Sequence, residues 1–175
     1  MGKNFPVSGC YVCGNRILNK DGSVIAFNYV RNLEELKEDY VNGKLDEKNE
    51  RFVDSLIFQC YSQFPEFSFN RNLRTGDEIG LEILDNILEY DFGKSRNLEK
   101  LENILKNPVK EKFLFLLSHK VCVPEGFGLY WIDLKRIDSA ERALEWTFHL
   151  SEKNWFNYKG WIKILESLFG RKGVS

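Results

Sequence analysis

No stretch of this chain approaches the roughly 20 consecutive apolar residues that crossing a bilayer requires, and its N-terminus lacks the apolar core of a signal peptide. Charge of one sign is also missing: 25 basic residues face 26 acidic ones, for a net charge of −1. A surface that attracts nucleic acid or anionic lipid everywhere is therefore excluded, although a local basic patch is not. Met1-Gly2-Lys3-Asn4-Phe5-Pro6 begins like a myristoylation signal but has Pro6 where Ser or Thr is required. The expectation is a cytoplasmic chain with no membrane association. Histidine is scarce, at two residues, and there is no Walker loop, dinucleotide fingerprint, nucleophile elbow or His-Glu-x-x-His sequence. Catalysis is the weak class.

What the chain has is aromatic bulk. Fourteen Phe, seven Tyr and four Trp in 175 residues, within a 43% apolar fraction, supply one well-filled core and make disorder untenable. Some of those rings could instead be exposed to grip a partner. Length fits a single domain over residues 1–175, divided by pattern into three regions. Residues 1–31 read as a hairpin region, because Asp21-Gly22 lies between the apolar runs Arg16–Leu18 and Ser23–Val30. Residues 32–120 read as mainly helical. Asn32 with Glu35 suggests a capping box, and Gly43 a helix stop. Phe52, Val53, Leu56, Ile57 and Cys60 then line one face of a helix over 46–63. Further helices are expected over Asp77 to Tyr90 and from Asn97 to near Pro108. The run Phe113 to Leu117 suits helix or strand, and helix is favoured. Residues 121–175 read as a strand over Phe127–Leu134, a helix capped by Asp138 with Glu141, and a last helix from Tyr158 to Phe169. The fold class is α+β: an N-terminal β-hairpin and a late strand packed with five to seven helices.

Three groups of residues carry chemistry. Cys10-x-x-Cys13-Gly14 has the shape of a zinc knuckle, since two thiolates on a tight turn supply half of a tetrahedral shell. His119-x-x-Cys122 has the spacing to supply the other half. Because one Cys-x-x-Cys is a modest signal and the second pair is over a hundred residues away, thiols packed as small hydrophobes remain the favoured reading, with zinc the sharper alternative. Phe67, Phe69, Arg71 and Arg74 interleave rings with guanidinium groups on an expected loop, an arrangement suited to holding single-stranded nucleic acid. The same letters describe a loop anchored by its Phe side chains with its Arg side chains solvated, which is favoured. His149, Glu152 and Lys153 fall at i, i+3 and i+4 near a helix end, where a protonated His meets the negative pole of the helix dipole. A His149–Glu152 acid/base pair would need a cleft.

The segment Tyr130-Trp-Ile-Asp-Leu…Asp138-Ser-Ala-Glu141…Trp146…His149-Leu150-Ser-Glu152-Lys153-Asn-Trp155 resembles a pattern of small bacterial, phage and plasmid proteins with a His-Leu-Ser-Glu-Lys-x-Trp run. The resemblance covers the last quarter of the chain. It implies a mobile-element or genome-conflict setting and no activity. Three functional expectations follow. The first is a non-enzymatic binding or regulatory protein, encoded by a phage or mobile element, that inhibits a protein or nucleoprotein target. The second is a zinc-supported nucleic-acid-binding protein using Cys10, Cys13, His119 and Cys122. The third is a small hydrolase or nuclease built around His149.

Overall fold

The run Phe113-Leu-Phe-Leu-Leu117 is a strand, not the helix favoured from its sequence. Leu114 and Leu116 enter one buried cluster while Phe115 and Leu117 enter another. An unbroken apolar run is what a strand covered on both faces needs, and its period of two is hidden because both phases are hydrophobic. The computed structural model describes residues 9–18, 21–69, 89–107, 109 and 112–169, with the backbone alone at 68, 69 and 89–93.

The protein is α+β. Strands β1 (Gly22–Asn28), β2 (Phe113–His119) and β3 (Tyr130–Asp133) form an antiparallel sheet in the order β2-β1-β3. β1 is central, with Gly22 opposite His119 and Ser23 opposite Asp133. The turn before Gly22 was expected to pair residues 16–18 with β1. β1 pairs instead with β2 and β3, and the local antiparallel contact upstream is a single bridge between Gly9 and Arg16.

Helices cover the two faces of the sheet. On one side lie α1 (Tyr29–Val41), α2 (Glu47–Gln63), the short α3 (Pro65–Phe69) and α4 (Glu89–Lys106), which bury Leu33, Phe52, Leu56, Phe67, Leu101 and Ile104 against Ile25 and Phe27. On the other lie α5 (Ala140–Ser151) and α6 (Tyr158–Leu168), which bury Ala143, Leu150, Trp161 and Ile164 against Val24, Ala26 and Phe115. Trp155, between α5 and α6, packs over the sheet on Phe113, Phe115 and Tyr130. Among the described residues no helix is long and apolar enough to cross a membrane.

Several element boundaries differ from the pattern reading for local reasons. α1 starts directly after β1, capped by the Asn28 side chain accepting from Arg31 N–H, and Asn32 lies inside it. Its end matches expectation: Gly43 takes φ +67°, and Lys44 N–H reaches back to the Asp39 carbonyl. α4 begins before Asn97, whose amide donates to Asp54 on α2 rather than capping a helix. The helix expected over 77–90 falls outside the described residues but for its last two, which open α4. Residues 67–69, the start of a segment expected as a loop or short edge strand, belong to α3; Pro65, expected to end the preceding helix, occupies its first position, where a missing N–H costs nothing. Ser139, not Asp138, caps α5, and the Asp138 carboxylate pairs with Arg142 at 3.4 Å instead.

The outer edge of β2 is closed by a side chain. Gln63, 1% exposed at the end of α2, donates to the Phe115 carbonyl (2.6 Å) and accepts from Phe115 N–H (3.0 Å), as a neighbouring strand would. Its second N–H reaches Gln59 Oε1 and its oxygen also accepts from Asn157, the N-cap of α6. All four hydrogen-bonding positions of the amide are thereby used. A Cβ at Gly160 would collide with Gln63 Oε1 and Asn157 Nδ2, so glycine is required there. Replacing Gln63 by Leu leaves the Phe115 N–H and C=O buried and unpaired. The expected loss is about 2–5 kcal/mol, read from urea denaturation midpoints at unchanged m-value.

Candidate metal centre and a cleft on the opposite sheet edge

The Cys-x-x-Cys segment folds as a tight knuckle. Gly14 N–H donates to the Cys10 carbonyl, Gly14 adopts φ +79°, and Cys10 N–H donates to the Asn15 carbonyl. Glycine at that position accepts the left-handed conformation at no steric cost. The knuckle lies along β2, where Tyr11 N–H donates to the Leu117 carbonyl and the Ser55 hydroxyl of α2 donates to the Tyr11 carbonyl. His119 closes β2, and the 3₁₀ turn Lys120–Cys122 follows directly.

This places Cys10, Cys13, His119 and Cys122 together, with all four ligand atoms within 4.8 Å of one another, close enough to share a single metal ion. His119 Nδ1 is 3.4 Å from Cys13 Sγ and 3.8 Å from Cys122 Sγ. Its other nitrogen, Nε2, is 3.0 Å from the Arg16 carbonyl oxygen. A carbonyl only accepts, so Nε2 carries the proton and Nδ1 turns its lone pair toward the sulfurs. A second hydrogen bond of this kind fixes ring orientation and tautomer in metal-binding histidines.

The thiols are unlike one another. Burial pushes Cys10 up, yet the backbone N–H groups of Cys13, His119 and Val12 outweigh it, holding the thiol at about 7. Burial and then the neighbouring Cys10 push Cys122 up to about 12. One thiolate is thus accommodated by the protein and a second beside it is opposed, so three thiolates would coexist there only with a bound cation between them. Cys60, wholly buried on α2 and raised by burial, lies in the helical core and takes no part. Lys120 pairs with Asp133 at 3.0 Å and holds Asp133 below the ordinary carboxylate range, tying the ligand-bearing turn to β3.

The other sequence candidates fare differently. Phe67 is 3% exposed and packs on Tyr29, Tyr61 and Phe64, so it anchors the core and offers no face to a ligand. The Phe69 side chain, Arg71 and Arg74 lie outside what the structure describes. His149 does not pair with Glu152; its Nε2 shares a 3.0 Å hydrogen bond with the Tyr130 hydroxyl on β3. It does sit in a cleft of about 490 Å³, lined also by Arg136, Arg142, Glu145 and Trp146. Residues 142, 145, 146 and 149 follow the i, i+3, i+4, i+7 rule for one helix face, a signal visible in the sequence but passed over. Tyr130 and Arg136 come from β3 and the 3₁₀ turn after it, a juxtaposition no local pattern reveals.

No family model matches the chain, and no curated protein or solved structure matches it either.

The burial difference among the thiols makes a direct prediction. After any metal is chelated, a thiol reagent added to the native protein should react with the half-buried Cys13 and Cys122 and spare the buried Cys10 and Cys60. The count should fall by one in Cys13→Ser and stay unchanged in Cys60→Ala.

Proposed function

We propose that this chain is a non-enzymatic binding protein whose fold is fastened by one structural zinc ion held by Cys10, Cys13, His119 and Cys122. The observation that carries the reading is the His119 ring, with Nε2 tied to Arg16 and Nδ1 presented to the sulfurs. Zinc bonded at about 2.3 Å to sulfur and about 2.0 Å to nitrogen gives tetrahedral S···N edges of about 3.5 Å, and the separations here bracket that value. Thiolate and imidazole are the ligands zinc prefers. With all four positions filled by the protein, none is left for a water or substrate, so the ion supplies folding energy and not Lewis-acid chemistry.

The mechanical role follows from chain topology. Cys13 and His119 are separated by 106 residues, and the ion joins them as a clasp. Closing so long a loop removes much of the freedom of the unfolded chain, an effect worth about 4–5 kcal/mol by analogy with a cross-link of that span. The clasp presses the knuckle onto β2 and, through Lys120 and Asp133, steadies β3. The scaffold so held presents the β3–α5 face, and a macromolecular target, protein or nucleoprotein, is the partner class this reading assigns to it. The likeness of residues 130–155 to small phage and plasmid proteins supports a regulatory task in that setting.

Protein purified with zinc supplied should carry one equivalent by elemental analysis, and Cys13→Ser combined with Cys122→Ser should carry none. Chelation should lower the thermal midpoint by roughly 10 °C or more, as a loss of about 4 kcal/mol does in a domain of this size. The ligands bind deprotonated, so affinity should fall on acidification, measured by competition with a chromophoric chelator between pH 8 and pH 6. Metal-free protein after refolding in excess zinc would overturn the reading.

A further inference from the structure

The cleft beside α5 shares no residue with the candidate metal centre and presents a different chemistry. Its cationic groups are held in place. Arg136 lies over the Trp146 ring, 5.0 Å from the centroid, while the Trp146 indole N–H donates to the Arg136 carbonyl at 3.3 Å. Arg142 is steadied by Asp138, and His149 by the Tyr130 hydroxyl. Lys153 reaches over the outer side of Tyr130. Two guanidinium groups and an imidazole therefore border one cavity with their positions fixed from behind. Guanidinium forks match the oxygens of a phosphate, and the Arg142–Asp138 pair is exposed enough to yield to one.

Volume and lining say what the phosphate is attached to. At about 490 Å³ the cleft exceeds a bare phosphate and falls within the range of organic ligand sites. Tyr130 and Trp146 add aromatic surface, and the Glu145 carboxylate would repel a second phosphate but accept from a base amino group. Immediately before His149 on α5, Phe148 leaves 66% of its surface open to solvent. It provides a platform on which an adjacent base can stack.

We propose that this cleft binds one nucleotide unit of a single-stranded nucleic acid, its phosphate on Arg136, Arg142 and His149, its base amino group facing Glu145, and the next base stacked on Phe148. The proposal rests on the reading of the chain as a binding protein and names the chemistry of its target.

The test uses the full zinc-supplied protein and fluorescence anisotropy with labelled single strands of about 12 nucleotides, in RNA and DNA form. Saturable binding is expected. Arg136→Ala with Arg142→Ala should weaken it at least about tenfold and reduce the slope of log affinity against log salt by about 0.7, the share of the one phosphate both contact. Phe148→Ala should cost about tenfold, and because Phe148 is exposed that variant keeps its fold, checked by circular dichroism and zinc content. Absence of binding by the wild type, or binding indifferent to all three substitutions, overturns the proposal. Nucleoside monophosphates that compete as well as the strands overturn its single-strand part and assign the cleft to a free nucleotide. Zinc content is read on the same samples. One zinc with no binding rejects the cleft and keeps the metal centre; binding without zinc does the reverse.

Discussion

The amide of Gln63 is the point on which three elements converge. It completes the backbone pairing of β2 at Phe115, and it receives the N-cap residue of α6, whose side chain in turn caps Gly160. A buried amide with one unmet position would cost more than an apolar replacement, so the arrangement works because every position is met. It also sets the position of α6 relative to the sheet. Gly160 is needed to let that helix approach, and the Trp161 indole then reaches Thr147 of α5 at 2.8 Å. The layer that carries His149 is thereby set relative to the layer that carries Gln63.

The amphipathic helices were legible in the sequence because a helix facing one core carries a one-sided stripe. Phe52, Val53, Leu56, Ile57 and Cys60 predicted α2, and all five are buried. The strand β2 was not legible, because burial on both faces erases the alternation that distinguishes strand from helix. Nor was the pairing of β1, since both partners lie far along the chain and no local turn reports them. The four candidate metal ligands were identifiable as two pairs with suitable spacing, but only the return of β2 alongside the knuckle shows that they meet. The cleft was half legible: one helix face gave Arg142, Glu145, Trp146 and His149, whereas Tyr130 and Arg136 required the sheet.

The metal centre and the cleft draw on opposite ends of the same short sheet. His119 faces Gly22 at one end of β1, and Tyr130 faces Ala26 further along it. β3 has four residues, all paired with β1, and its Asp133 end is also held by Lys120, from the candidate ligand-bearing turn. A binding cleft built partly on so brief a strand depends on such outside support to keep its groups in register. An ion at the proposed site would therefore support the β3–α5 face without touching it.

The knuckle's hydrogen bond from Tyr11 to Leu117 has one more consequence. Together with Gln63 it covers the rim of β2 that would otherwise display free carbonyl and N–H groups to solvent. An apolar strand with an open rim is a template for the same strand of another molecule. If the proposed zinc holds the knuckle in place, its loss would leave the Leu117 end of that rim open, and chains without it would be adhesive as well as looser.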